Sequence, residues 1–183
     1  VGTYTETMPL IRAFFAKLPL AQTKGLQSKH FSPNHLRGMC RTCWGLGYKV
    51  IDLQFLPSVR VVCESCHGCR LNPVSLEVHY KGKHLGAILQ LTVQEALELF
   101  SEIPKIVKKL KTLEDVGLSY LQLGQEVASL SGGEAQRLRL SRELAKRSTG
   151  DTLYLIDEPT VGLHFEDIAK LLPIFHKLAD KKN

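Results

Sequence analysis

Two Cys-x-x-Cys pairs, Cys40/Cys43 and Cys63/Cys66, stand nineteen residues apart, and no other feature restricts the folding of this chain as strongly. Each pair fits a tight knuckle, and the interval leaves room for a β-hairpin, the arrangement of a zinc ribbon. Trp44-Gly45-Leu46-Gly47 and His67-Gly68 supply turn glycines after the two pairs. Residues 50–62 are rich in Val, Ile, Leu and Phe, and Pro57-Ser58 divides them into two expected short strands. Four thiolates leave no coordination position open, so Cys40, Cys43, Cys63 and Cys66 are expected to hold a structural Zn2+. Free thiols and disulfides are the alternatives. Disulfides are disfavoured by the odd count of five cysteines, by the lack of a signal-peptide pattern and by the lack of an apolar run of membrane-spanning length. These features suit a cytoplasmic protein that does not engage a membrane. Cys69 and His67 adjoin the second pair. Cys63, Cys66 and Cys69 form a run suited to an iron–sulfur cluster, but the usual fourth ligand is lacking. Cys69 is read as a free thiol or as a substitute for a neighbouring ligand.

A second constellation lies further along. Residues 130–137 run Leu-Ser-Gly-Gly-Glu-Ala-Gln-Arg, a small-residue turn opening a helix expected over about residues 134–146. Helix N-termini expose unpaired N–H groups and the positive end of the macrodipole. Gly132 and Gly133 allow a phosphate close to the backbone, and the Ser131 hydroxyl adds a donor. The plainer alternative is a turn with an N-cap serine. On the helix, Ala135, Leu138, Leu144 and Ala145 are expected near one side, with Arg137, Arg139 and Arg142 largely elsewhere. Residues 152–156 then read as an apolar strand covered on both faces, ending in Asp157-Glu158-Pro159. The C-terminal ends of such strands are where open α/β sheets place ligands. Solvated loop carboxylates are the plainer alternative there.

Together, Leu130-Ser131-Gly132-Gly133-Glu134 and Leu153 to Glu158 resemble the signature and Walker B motifs of ABC-type ATPases. The resemblance implies an α/β fold, part of a P-loop ATPase domain. It implies that Asp157 holds Mg2+ through water and that Glu158 orients and deprotonates the attacking water. No Gly-x-x-x-x-Gly-Lys-Ser/Thr segment occurs, so the phosphate-cradling Walker A loop is absent. The chain is therefore expected to be part of a larger polypeptide and inactive alone. In such enzymes the signature contacts nucleotide held by the opposite ATPase half, so Ser131, Gly132, Gly133 and Glu134 would act in trans.

An ABC signature that follows a four-cysteine module resembles the UvrA family, the damage-recognition ATPases of bacterial nucleotide-excision repair, and within it the second ATPase half. Thr3-Tyr4-Thr5 and Ile11 to Ala16 look like the segment after the missing phosphate loop. Phe31-Ser32-x-Asn34, Phe55-Leu56-Pro57, Leu76-Glu77-Val78, Leu91-Thr92-Val93-x-Glu95-Ala96, Asp115-Val116-Gly117-Leu118-x-Tyr120 and Leu123-Gly124-Gln125 follow in order. Thr149-Gly150 and Gly162-Leu163-His164 flank the Walker B segment. Departures are Pro33 in place of Phe, Cys69 in place of Lys, and Val161 in place of Thr. Pro33 should hold Ser32 extended. The resemblance implies roles in DNA repair, the excision nuclease and the SOS response. It implies shared ATP and Mg2+, and as partners lesion-bearing double-stranded DNA, the other ATPase half, a second copy in a homodimer, and the helicase component of the excinuclease.

The expected organisation is ATPase core over 1–36, the zinc module over 37–79, a helical signature subdomain over 80–126, and ATPase core over 127–183. Helices are expected near residues 9–18, 103–116 and 165–179, with Pro104 in a first turn and Pro173 interrupting or kinking the last. Thr92 and Glu95 have capping-box spacing, with Val93, Ala96, Leu97 and Phe100 on one face. A formal charge of +6 suits a polyanionic partner. Four thiolates with one Zn2+ would leave about +4. Arg37, Arg41, Lys49, Arg60 and Arg70 surround the cysteines and are the candidate DNA contacts, sequence-independent and salt-sensitive; a solvated basic face is the alternative. Lys105, Lys108, Lys109 and Lys111 read as the solvated face of an amphipathic helix. Two other functions fit parts of the pattern. A transporter-type ATPase has no four-cysteine module before its signature. A stand-alone zinc-ribbon nucleic-acid binder leaves Leu130 to Glu134 and Asp157-Glu158 unexplained.

Overall fold

In the computed structural model, which describes residues 1–145, 153–156, 158–160 and 165–180 (Asp167 by its backbone alone), the chain divides into two units, 8–90 and 1–7 with 91–183. In the first unit, helix α1 (Thr7–Phe15) buries Met8, Ile11 and Phe15, one stripe at helical spacing. Phe15 packs on Phe31 with ring centroids 5.6 Å apart, and Phe14 meets Tyr80 edge-on at 4.8 Å. A single helix was expected over residues 9–18, but α1 ends earlier. Pro19 drives Leu18 extended (φ −65°, ψ 145°), and Leu18 then heads helix α2 (Pro19–Thr23). Ser32 is extended before Pro33 as expected (φ −115°, ψ 121°), and its hydroxyl accepts from the Arg12 guanidinium at 3.0 Å.

Strands β1 (Tyr48–Leu53) and β2 (Leu56–Val62) form an antiparallel hairpin, pairing Tyr48 with Val62, Ile51 with Val59 and Leu53 with Leu56. The turn is Gln54-Phe55, not Pro57-Ser58. Pro57 lies within β2, beside a register shift between Ile51 and Leu53, and a two-stranded ribbon tolerates its missing N–H there. Helix α3 (Pro73–Leu76) is capped by Asn72, whose side chain accepts from Ser75 N–H at 2.8 Å. The short strands β3 (His79–Tyr80) and β4 (Lys83–His84) pair, and helix α4 (Leu85–Gln90) follows, burying Leu85, Ile88 and Leu89.

The second unit is helical. Helix α5 (Val93–Leu99) opens with the expected capping box: Glu95 N–H reaches Thr92 Oγ1 at 3.2 Å, and Thr92 N–H reaches Glu95 Oε2 at 2.8 Å. Val93, Ala96 and Phe100 are buried and Leu97 is half-buried. Helix α6 (Pro104–Asp115) starts on its proline, buries Ile106, Leu110 and Leu113, and ends at Gly117 in the left-handed region (φ 70°). Lys105, Lys108 and Lys111 are exposed, while Lys109 is half-buried and pairs with Glu6 at 3.0 Å. Helix α7 (Gly132–Ala145) follows, and helix α8 (Phe165–Asp180) runs through Pro173, burying Leu171, Ile174 and Leu178. Each of α5 to α8 packs on the next.

The strand expected over residues 152–156 does not form among the described residues. Residues 153–156 have no ladder partner among the described residues, and Leu153 and Leu155 are 82% and 88% exposed. Buried strands need neighbours on both sides, and the described residues offer only the two small antiparallel hairpins. The described residues thus form helices with small antiparallel sheets, and the ATPase sheet of the α/β expectation is not among them. Asp157, Lys146, Thr149-Gly150, Thr152 and residues 161–164 lie outside the described residues. No described helix is long and apolar enough to cross a membrane.

Candidate metal centre and signature turn

The two knuckles repeat one backbone device. After Cys43 and after Cys66, one residue adopts left-handed geometry (Trp44 φ 54°, His67 φ 47°), followed by a glycine (Gly45 φ 80°, Gly68 φ 82°). This tight reversal folds each Cys-x-x-Cys pair inward. Gly45 admits nothing larger, because a Cβ there would lie 2.0 Å from the Pro33 carbonyl oxygen. Backbone bonds join the knuckles: Cys40 N–H donates to the Arg70 carbonyl and Cys63 N–H to the Gly47 carbonyl, both at 2.9 Å. Met39 also bridges to Leu71.

These constraints bring four buried thiols together. Cys40 Sγ lies 3.9 Å from Cys63 Sγ, Cys43 Sγ lies 3.6 Å from Cys66 Sγ, and all four sulfurs fall within 4.8 Å of one another. Disulfides would need contacts of about 2.05 Å. A tetrahedron with metal–sulfur bonds of about 2.3 Å has edges of about 3.8 Å, so the donor set fits one four-coordinate thiophilic ion. Gly47 N–H donates to Cys43 Sγ at 3.2 Å, the kind of surrounding hydrogen bond that orients a ligand. Burial pushes both the Cys40 and Cys66 thiols up. At Cys40 the N–H groups of Cys43 and Thr42, together with the Cys43 and Cys66 side chains, outweigh it and bring the thiol down to about 6, while Cys66 rises to about 12. A metal takes thiolates, so its entry must displace thiol protons, that of Cys66 among them. Cys69 stands outside the quartet, half-buried, with its side chain packed against Gly86 and burial pushing its thiol up. His67 is exposed.

The hairpin between the knuckles is exposed along both strands, with Phe55 95% exposed at its tip. Arg37, Arg41, Lys49 and Arg60 are exposed and Arg70 is half-buried. They surround the knuckles without sharing one face. Lys49 is paired with Val61 and Arg60 with Val50, adjacent rungs whose side chains point to opposite sides. The Arg60 guanidinium sits 4.7 Å from the Tyr48 ring centroid.

In the second unit, Ser131 caps α7. Glu134 N–H donates to Ser131 Oγ at 3.2 Å, and Ser131 N–H donates to Glu134 Oε2 at 2.8 Å. The N-cap turn read as the plainer alternative is thus present, and it leaves Gly132 exposed, with open space where a Cβ would stand. Gly133 is buried. Two residues near this turn escaped the sequence reading. Tyr120 donates its hydroxyl to Glu134 Oε1 at 2.7 Å. Arg137, expected on the outer side, is 2% exposed beside that pair. Burial raises the Glu134 carboxyl, but the Tyr120 hydroxyl, Ser131 and Arg137 together hold it below its ordinary value. The spacing of Arg137 three residues after Glu134 was the available signal. Glu158 is exposed with φ 41°.

No protein-family model matches the chain. UvrABC system protein A of Xanthomonas axonopodis pv. citri (strain 306) is 50% identical over 182 residues, covering 100% of this chain and 18% of that protein. The protein of the same name from Rhizobium meliloti (strain 1021) is 50% identical, with 100% and 19% covered. The crystal structure of UvrA2 from Deinococcus radiodurans superposes with a TM-score of 0.89 at 45% identity, covering 100% of this chain and 22% of that one. The chain therefore spans about a fifth of the length of these relatives.

Proposed function

Because the chain matches UvrABC system protein A from end to end and carries a UvrA-like fold, we propose that it serves as one section of a nucleotide-excision-repair protein that recognises damaged DNA and couples recognition to ATP hydrolysis. The observation that carries this reading is the occurrence, in one UvrA-like chain, of a buried four-thiol centre and an open Ser-Gly-Gly helix start.

Cys40, Cys43, Cys63 and Cys66 hold a structural Zn2+, which supplies a cross-link between the knuckles and no chemistry on a substrate. At α7, Ser131, Gly132 and Gly133 meet the terminal phosphate of ATP held by the opposite ATPase half. Asp157 would hold Mg2+ through water. Glu158 orients the attacking water and removes its proton as the phosphoryl group transfers. Arg37, Arg41, Lys49, Arg60 and Arg70 contact DNA phosphates, giving affinity without base preference, as a sensor of varied lesions requires. The full protein works in the cytoplasm as a dimer, together with the helicase component of the excinuclease, within the SOS response.

Gly132→Asp in the full-length protein tests this role. A side chain fits there without collision, so the fold should survive, but a carboxylate would stand where the phosphate binds. ATP turnover is expected to fall by about a hundredfold, the scale of losing one preorganised anion-stabilising group. Steady-state phosphate release at parent level would remove the turn from the nucleotide site.

A further inference from the structure

Glu134 sits in the first turn of a helix, where negative charge is favourable, yet in the role proposed above it lies beside a phosphate that it would repel. The structure commits both of its oxygens elsewhere. Oε2 accepts the Ser131 N–H at 2.8 Å, and Oε1 accepts the Tyr120 hydroxyl at 2.7 Å. Arg137, one turn along α7 and 2% exposed, places its positive charge beside the same pair.

This arrangement decides what the turn presents. Ser131 Oγ accepts from Glu134 N–H at 3.2 Å, and the Ser131 side chain also bonds the Glu134 carboxylate, so the serine helps Tyr120 to hold that carboxylate on the turn. The N–H groups of Gly132 and Gly133 occupy the first two helical positions, where no intrahelical acceptor exists. Tyr120 is itself fixed in place. Its neighbours Leu118 and Leu121 are buried. Gln94 N–H reaches the Ser119 carbonyl at 3.0 Å, and Val93 N–H reaches the Leu121 carbonyl at 2.9 Å. The phenol therefore projects from a backbone segment tied to the start of α5.

We propose that Tyr120 is a positioning residue for nucleotide binding: its hydroxyl holds the Glu134 carboxylate folded back on the turn, so that the phosphate meets hydrogen-bond donors alone. This inference rests on the ATPase reading. It assigns to Tyr120 an electrostatic task rather than a packing one, since more than half of its surface is exposed (53%).

The test uses the full-length protein and steady-state ATPase kinetics. Tyr120→Phe should raise the KM for ATP about tenfold, the scale of one hydrogen bond to a charged group, while kcat and the melting temperature change little. Adding Glu134→Gln to Tyr120→Phe should return KM toward the parent value, because a neutral amide oxygen still accepts from Ser131 N–H and no longer repels the phosphate. A structural role alone would not give that rescue. An unchanged KM in Tyr120→Phe overturns the proposal, as does a raised KM that Glu134→Gln fails to restore. Ser131→Ala, measured alongside, separates the two levels: turnover indifferent to it removes the nucleotide reading itself, and this proposal with it.

Discussion

Cys40→Ser should strip the zinc of this segment from the full-length protein and unfold its knuckles. The hairpin between the cysteine pairs is exposed on every residue of β2 and nearly all of β1. A two-stranded ribbon with so little apolar burial is marginal in water. Its geometry must therefore come from the four sulfurs and the few backbone bonds that join Cys40 to Arg70 and Cys63 to Gly47. Structural zinc contributes about 10–16 kcal/mol in small modules, far above the typical net worth of about 1 kcal/mol for a hydrogen bond. Losing one of four thiolates leaves an incomplete shell, so elemental analysis should find one zinc fewer per chain, and the unfolding transition should move to markedly lower temperature. Cys69→Ser is the matched control and should keep the metal, since its sulfur lies outside the quartet. Parent-level zinc with parent-level melting in Cys40→Ser would rule out the centre.

Glu158→Gln in the full-length protein should leave ATP bound and nearly unhydrolysed. A positioned general base contributes about a hundredfold to ten-thousandfold in rate, and the amide retains the shape of the carboxylate without its basicity. Single-turnover experiments should therefore show normal nucleotide binding with phosphate release slowed on that scale. Undiminished release would strip Glu158 of its role as base and return it to the solvated loop carboxylate that its exposure also suits.

Local chemistry made the four-thiol cluster and several helix ends legible in the amino-acid order. The cysteine spacing foretold the quartet, because a Cys-x-x-Cys pair followed by glycine has few compact geometries. Thr92 with Glu95, Pro104 at a first turn and Pro33 after an extended Ser32 were readable for the same reason: each acts on its own backbone or within one turn. Features that depend on distant neighbours were not readable. Pro57 suggested a break, but the pairing of Leu53 with Leu56 places the turn at Gln54-Phe55. Residues 153–156 have the composition of a buried strand and lack, among the described residues, the partners that would make them one. Arg137 was expected away from the apolar side of α7. Its burial follows from the charge and hydroxyl that Glu134 and Tyr120 place beside it, which helical periodicity does not reveal.

The proposed coupling of nucleotide to damage recognition is tested most directly by equilibrium binding of the full-length protein to two duplexes of identical sequence, one bearing a lesion, with and without ATP and at two salt concentrations. The expected result is a preference for the damaged duplex whose size changes with ATP, with affinity for both duplexes falling as salt rises. Equal affinity for the two duplexes, whatever the nucleotide, would contradict a damage-recognition role for the protein to which this chain belongs.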